Sequence, residues 1–247
     1  MRAACRNGSH LTTRYNWFDR ILGRRELPLE LALRLDAWRR LPEPDPAAVT
    51  QRWVVIDTET SGLHMARSKL IAIGAVAIEH DAIVVDPSFE VVLRQEIASS
   101  RENIELHGIG AAAQAQGEDP VHALIRFLEF ARKDPLVAYH VAFDATFLRR
   151  AIKAQLGMRF HGKWLDIAVL APLKYPDLAR GQRGLDGWLA RFGIDPGARH
   201  NALADAFATA QLFQIAQRRA ASDGQRRMRD LLMIAGEHAS GRVRHGG

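Results

Sequence analysis

Two acids end the apolar run in the segment VVIDTETSGL, residues 54–63, at Asp57 and Glu59. Residues i and i+2 of an extended strand face the same side, so the two carboxylates would point toward one place. Like charges at such short range raise each other's pKa unless a cation lies between them. Oxygen ligands without cysteine favour Mg²⁺ or Mn²⁺ over zinc, so the pair indicates a divalent-metal site. The alternative is that Asp57 caps a turn and Glu59 is solvated.

Further acids occur at two later points of the chain. Asp144 follows the apolar run PLVAY at the start of a predicted helix, and His200 and Asp205 lie five residues apart in RHNALADAFATAQLF. If that last helix begins after His200, the imidazole lies on the preceding loop while Asp205 faces the same cleft. A lone acid at a helix start is usually a cap, and a lone histidine is usually structural. Together with the first pair, however, these residues favour a two-metal phosphoryl-transfer site.

The three segments resemble, in order, the motifs of the DEDDh 3′-to-5′ exonucleases, in particular the proofreading (epsilon) subunit of bacterial DNA polymerase III and its relatives. The resemblance covers about residues 52–217. Shorter matches support it: HGI at 107–109, LD at 165–166 and GLDGWLARFGI before the last motif.

The resemblance implies a ribonuclease H-like fold, two Mg²⁺ or Mn²⁺ ions per site and a role for each matched residue. Asp57 would bridge both ions, Glu59 and Asp205 would complete the nucleophile-side ion, and Asp144 would help to hold the second. His200 would accept a proton from the attacking water, because a neutral imidazole is a suitable base near pH 7. The product would be a nucleoside 5′-monophosphate.

Contacts with the terminal nucleotide are expected from four residues: Thr58, His107, Ile109 and His140. The HGI segment resembles the part of the family that lies against the terminal base, so His107 and Ile109 are candidates for stacking or wedging. Ordinary packing at a helix end is their alternative. Where the family commonly has His-Asn, this chain has Tyr139-His140, so His140 either replaces that Asn or packs beside the cleft. Asp166 is interpreted as a helix cap rather than a metal ligand.

The hydrophobic pattern predicts an α/β domain around these residues. A first strand over RWVVID, two more near 69–79 and 82–94, a fourth at PLVAY and an edge strand near 161–165 give a mixed five-stranded sheet. Helices are predicted at 119–133, 142–157, 166–173, 184–192 and 201–219. The helices flank the sheet, and ligands of such sheets bind at the carboxyl ends of strands, where Asp57 and Glu59 lie.

The chain is predicted to have three parts. Residues 1–50 form a helical N-terminal extension that ends in a Pro-rich linker, since LPLELALRLDAWRRL has helical spacing and PEPDPAA breaks a helix. Residues 51–219 form the exonuclease domain, and residues 220–247 form a basic C-terminal tail. The N-terminal extension is not part of the proofreading-subunit pattern. A free-standing exonuclease, or one with a different partner, is therefore expected at least as strongly as a replicase subunit.

Basic residues are concentrated at the two ends of the 247-residue chain. Residues 1–50 hold nine Arg against six acids, residues 218–247 hold seven Arg against three, and residues 51–217 hold 18 basic against 19 acidic residues. Such ends suit contact with nucleic-acid phosphates, although a solvated helix surface gives the same pattern. No run approaches the roughly 18 apolar residues of a membrane span, and Cys5 alone cannot form an internal disulfide. We therefore expect a cytoplasmic protein without a membrane partner.

The expected function is a metal-dependent 3′-5′ exonuclease that removes 5′-mononucleotides from the 3′ end of DNA. The expected partners are a nucleic acid with a free 3′ end and a DNA polymerase or another repair factor. An exonuclease for RNA or short oligonucleotides is an alternative, because only contacts to the 2′ position separate RNA from DNA. A non-catalytic, polymerase-associated binding module is a second alternative, against which the presence of all five catalytic residue types argues.

Overall fold

The computed structural model describes residues 27–49, 52–181, 184–197 and 199–244, with side chains up to Gly236. The predictions made for residues 1–26 and for the last three residues of the basic tail lie outside the described residues.

Five strands form one mixed sheet, as predicted. Their bounds are β1 Trp53–Thr60, β2 Leu70–Glu79, β3 Ala82–Val92, β4 Leu136–Ala138 and β5 Trp164–Asp166. The strand order is β3-β2-β1-β4-β5, with β1, β2 and β3 antiparallel and β4 and β5 parallel to β1. The strand that carries the first acid pair therefore lies at the centre of the sheet.

Ten helices are described along the chain. They are α1 Leu29–Arg39, α2 Arg101–His107, α3 Ala111–Ala115, α4 Pro120–Ala131, α5 Val141–Leu156, α6 Ile167–Lys174, α7 Pro176–Ala179, α8 Gly184–Phe192, α9 Ala202–Ser222 and α10 Met228–Arg244. The five helices predicted around the sheet correspond to α4, α5, α6, α8 and α9. Among the described residues, no helix combines the length and the apolar character that crossing a bilayer requires.

Alternate residues of β1 enter opposite layers of the core. Val54 and Ile56 pack with α1, α4 and α5, whereas Trp53 and Val55 pack with α6, α8, α9 and α10. Because side chains alternate along a strand, Asp57 and Glu59 continue the side that faces α9, and Thr58 continues the side that faces α5. The strand is buried on both sides, which explains why it reads as a continuous apolar run rather than an alternating one.

The predicted N-terminal helix is confirmed as α1, and it packs on its own domain. The buried side chains of α1 belong to the core layer that contains α4 and α5: Leu31, Leu35 and Trp38. Arg34 donates two hydrogen bonds to Glu129 of α4, from Nε at 2.8 Å and from Nη2 at 2.7 Å. The Trp38 indole Nε1 donates to the carbonyl oxygen of Arg132 at 2.8 Å. Apolar burial and polar contacts both attach this helix to α4.

Part of the basic C-terminal segment also packs on the core. The helix α10 buries Met228, Leu231 and Ala235 in the layer that contains α6 and α9. The spacing of these residues, i, i+3 and i+7, is that of one helix face. The division of the chain at residues 50 and 219 stays a prediction.

Candidate functional site

Three carboxylates meet at the carboxyl end of the central strand. Asp57 and Glu59 come from β1, and Asp205 comes from the first turn of α9. One oxygen of each carboxylate lies within 4.8 Å of the others. Glu59 is 9% exposed and Asp205 is 4% exposed, while Asp57 is half-buried. The structure therefore brings together three of the four predicted acids in one group that can hold a cation.

The fourth predicted acid, Asp144, lies beside this group in the first turn of α5 and is 3% exposed. Its Oδ1 accepts a hydrogen bond from the Thr58 hydroxyl at 2.7 Å. Thr58 is itself buried and its hydroxyl holds Asp144, so its contact with the terminal nucleotide stays a prediction. Thr58 lies between Asp57 and Glu59 in the sequence, so its side chain faces the opposite side of β1, toward the helix α5 that carries Asp144.

Burial and like charges together raise the pKa values of the clustered acids. The pKa of Asp57 is raised well above its usual range by burial and then by the charges of Asp144, Glu59 and Asp205. Burial, followed by the charges of Asp205 and Asp144, raises the pKa of Glu59 to about 8. Burial also raises the pKa of Asp144 to about 7, against the hydrogen bond from Thr58. Without a cation these acids therefore resist ionising together, and a divalent cation between them would favour their ionised forms.

Arg199 is a cation that contacts the cluster, and its role was not predicted from the sequence. Its Nη1 donates to Asp205 Oδ1, and its Nε donates to Asp186 Oδ1 at 2.5 Å. Partial burial alone would lower the pKa of Arg199, but the bonds to Asp186 and Asp205 raise it. Its charge also lowers the pKa of Asp57 and of Glu59. The one signal in the sequence was its place directly before His200.

His200 lies on the loop before α9, as its spacing to Asp205 predicts. Its backbone is in the left-handed region with φ 60, and its N–H donates to Asp205 Oδ2 at 3.0 Å. The residue is exposed, so the imidazole is accessible to solvent at the edge of the acid cluster. The side chain of Asn201 caps α9 by accepting from the Ala204 N–H at 2.9 Å. This cap fixes where the helix begins, and therefore where Asp205 lies.

His107 occupies a packing position. It is 5% exposed, its Nδ1 accepts from the Ile109 N–H at 3.0 Å, and its Nε2 lies 3.4 Å from the Ser99 hydroxyl. Burial lowers its pKa, which favours the neutral ring. The side chain holds the backbone of Ile109 through Nδ1, and its burial leaves little ring surface on which a base could stack. Ile109 is half-buried and keeps an accessible surface.

The α2 segment is attached to the end of β1. The Asn103 side-chain Nδ2 donates to the carbonyl oxygen of Ser61 at 2.8 Å, two residues after Glu59. The segment that carries Ile109 therefore lies next to the chain that leaves the acid cluster.

His140 is an exposed residue at the start of α5, with φ 66, and its ring lies edge-on to Tyr139 with centroids 4.7 Å apart. The N–H groups of His140 and Val141 donate to Asp166 at 3.1 and 3.2 Å. Asp166 also accepts from the Ala168 N–H at 2.9 Å and caps α6, which confirms its interpretation as a cap. Asp166 therefore fixes the start of both α5 and α6.

Comparison with known proteins identifies the family of this chain. The family model described as Exonuclease matches residues 54–213. The chain is 32% identical over 161 residues to the DNA polymerase III PolC-type protein of Thermotoga petrophila, an alignment that covers 65% of this chain but 11% of that protein. It is 27% identical over 161 residues to the DNA polymerase III epsilon subunit of Aquifex aeolicus, covering 65% of this chain and 78% of that one. The chain thus spans about a tenth of the PolC-type relative.

Among solved structures, the fold is similar to that of Exonuclease X in complex with 5′ overhanging duplex DNA. The TM-score is 0.58 at 20% sequence identity, and the match covers 74% of this chain and 99% of that one. The shared architecture confirms the predicted ribonuclease H-like sheet and its flanking helices.

Proposed function

Because the chain belongs to the exonuclease family matched over residues 54–213, we propose that it is a metal-dependent 3′-to-5′ exonuclease acting on DNA. Family membership confirms the resemblance to the epsilon-like DEDDh enzymes that the sequence motifs indicated. The observation that carries the proposed activity is the group of three carboxylates whose oxygens lie within 4.8 Å of one another at the end of β1.

The acid cluster fits divalent cations on its own chemistry. Its donors are all carboxylate oxygens, which suit Mg²⁺ or Mn²⁺, and its raised pKa values support a bound cation, because positive charge favours the ionised acids. Asp57, Glu59 and Asp205 would hold the ion on the side of the nucleophile, and Asp57 with Asp144 would hold a second. Two such ions, when bound, stabilise the charge on the attacking and leaving oxygens of an in-line displacement.

His200 is the residue proposed to accept the proton of the attacking water. Its imidazole is exposed on the loop beside the cluster, whereas the acids would bind the cations. The backbone bond from His200 to Asp205 ties the base to the helix that carries a metal ligand. Water oxygen forms a new bond to the terminal phosphorus, the bond from phosphorus to the 3′ oxygen breaks, and the 3′ oxygen takes a proton from solvent. The products are a nucleoside 5′-monophosphate and a strand shorter by one nucleotide.

Ile109 is the residue proposed to contact the terminal base, because it is accessible and its backbone is held by the buried His107. His140 is proposed to lie beside the strand that approaches the site, since it is exposed at the start of the helix that carries Asp144. DNA is favoured as the polymer because Exonuclease X was solved with duplex DNA and the sequence relatives are DNA polymerase III proteins. These relatives also support a DNA polymerase or repair factor as a partner.

The proposal is tested with 5′-labelled single-stranded DNA, 3′-recessed DNA and matched RNA, each incubated with Mg²⁺, Mn²⁺ or EDTA. The expected result is metal-dependent shortening of the strand from its 3′ end, seen as a ladder of labelled products. The strand loses 5′-mononucleotides, and DNA is shortened faster than RNA. Degradation of RNA at an equal or faster rate would favour RNA or short oligonucleotides as the substrate instead of DNA. Release of the label in the first step would contradict the 3′-to-5′ direction.

A further inference from the structure

Both oxygens of Asp205 already have donors from the loop that precedes α9. Arg199 Nη1 donates to Oδ1, and the His200 N–H donates to Oδ2 at 3.0 Å. The Asp205 side chain is 6% exposed and that of Arg199 is 25% exposed, so this ion pair is largely withdrawn from solvent. An ion pair in such surroundings is stronger than one on an open surface, because water screens it less.

Arg199 has a second anionic partner that lies on the solvent side. Its Nε is 2.5 Å from Asp186 Oδ1, and the Asp186 side chain is 73% exposed. The guanidinium is planar and presents separate donor edges, so it can keep one partner while it releases the other. Asp186 can therefore retain Arg199 when Asp205 takes a different cation.

We propose that Arg199 is an internal counter-cation of the acid cluster, which a metal ion must displace from Asp205 in order to bind. This inference rests on the proposed function, because it takes a divalent metal as the ligand of the cluster. A divalent ion on Asp205 repels a guanidinium at ion-pair distance, so the two cations compete for the same carboxylate. Arg199 acts through Asp205 and is a positioning residue that sets the metal concentration that the site requires.

A direct consequence is that removing Arg199 raises the affinity for the metal but lowers the stability of the metal-free protein. Without the guanidinium, the three carboxylates repel one another with less compensation, and the entering ion has no competitor to displace. A residue that served only to build the site would behave in the opposite way, since its loss would weaken metal binding as well.

The test is calorimetric titration of Mn²⁺ into the substrate-free protein, comparing wild type with Arg199→Gln and Arg199→Ala. We expect the dissociation constant for Mn²⁺ to fall by about tenfold in both variants. Arg191→Ala is the matched control, because it removes the same formal charge from an exposed position of α8, and its affinity should stay within about twofold of wild type. An unchanged or weaker Mn²⁺ affinity in the Arg199 variants would overturn the inference.

Thermal unfolding gives a second readout that does not depend on calorimetric heats. In EDTA the Arg199→Gln variant should unfold at a lower temperature than wild type, and saturating Mn²⁺ should raise its unfolding temperature by more than it raises that of wild type. An equal or smaller metal-induced rise would also overturn the inference. If wild type itself binds no Mn²⁺ at millimolar concentration, the proposed metal site is wrong. If wild type binds Mn²⁺ but the Arg199 variants bind it no more tightly, the metal site stands and only the role of Arg199 is wrong.

Discussion

Gly74 lies directly opposite Asp57 in the antiparallel ladder of β1 and β2, and its lack of a side chain leaves the space that the start of α9 fills. A Cβ at Gly74 would lie 2.2 Å from the carbonyl carbon of Ala202 and 2.2 Å from the backbone nitrogen of Leu203. Contacts between heavy atoms at rest are about 3.5–4.0 Å, so the helix would have to move. The position of Asp205 beside Asp57 therefore depends on this glycine.

The first prediction concerns Gly74→Ala. The added methyl group meets backbone, which cannot rotate away, so we expect the free energy of unfolding to fall by about 1–3 kcal/mol or more in urea denaturation. We also expect weaker Mn²⁺ binding, because the displaced α9 carries Asp205. Gly110→Ala is the control: its φ is −63 and a Cβ there meets nothing within 4 Å. A Gly74→Ala protein as stable as the Gly110→Ala control would contradict this account of the α9 position.

The second prediction is that the stability of the metal-free protein falls as the pH rises. The pKa of Glu59 is about 8 in the folded protein against 4.5 ordinarily, and that of Asp144 is about 7 against 3.8. Between these values the folded state binds more protons than the unfolded state, so the stability that these groups contribute is complete below about pH 4 and is lost as the pH passes through about 7 to 8.

The measurement for this prediction is the urea midpoint at pH 5, 6.5 and 8, in EDTA and in saturating Mg²⁺. In EDTA the midpoint should decline across the series, and Mg²⁺ should reduce the decline because bound cations stabilise the ionised acids of the folded state. A midpoint in EDTA that stays constant or rises with pH would show that the acids are not perturbed as described.

The third prediction concerns the attachment of α1. Leu35 is 2% exposed and packs in the layer of α4 and α5, so Leu35→Ala should lower the free energy of unfolding by about 2–5 kcal/mol. Leu33→Ala is the matched control on the same helix, because Leu33 is 59% exposed and should lose less than about 0.5 kcal/mol. Equal effects of the two substitutions on the urea midpoint would mean that α1 does not pack on the domain in solution.

The central acid pair could be predicted from the sequence because its geometry is local. The alternation of a strand places Asp57 and Glu59 on one side whatever the rest of the chain does, and the His200 to Asp205 spacing places an acid in the first turn of a helix that begins after His200. The Asp166 cap is local in the same sense, since the Ala168 N–H that donates to Asp166 lies only two residues along the chain.

Contacts between distant segments could not be predicted in this way. The choice of Asp186 and Asp205 as partners of Arg199 depends on how α8 and α9 meet, and the burial of His107 depends on Ser99 and on the backbone of Ile109. The helix α10 has a local signal in the spacing of Met228, Leu231 and Ala235, but the excess of arginine in the segment 220–247 masked it.

The most direct test of the central claim is single-turnover release of the terminal nucleotide from 5′-labelled DNA in Mg²⁺, comparing wild type with Asp57→Asn. Asp57 is the acid proposed to contact both ions, so its loss should slow release by about 10³-fold or more, which corresponds to about 4 kcal/mol of transition-state stabilisation. Far-UV circular dichroism of the variant should match that of wild type, because the amide keeps the shape of the side chain. Nucleotide release by Asp57→Asn at the wild-type rate, or by wild type at an equal rate in EDTA, would contradict a metal-dependent site at the end of β1.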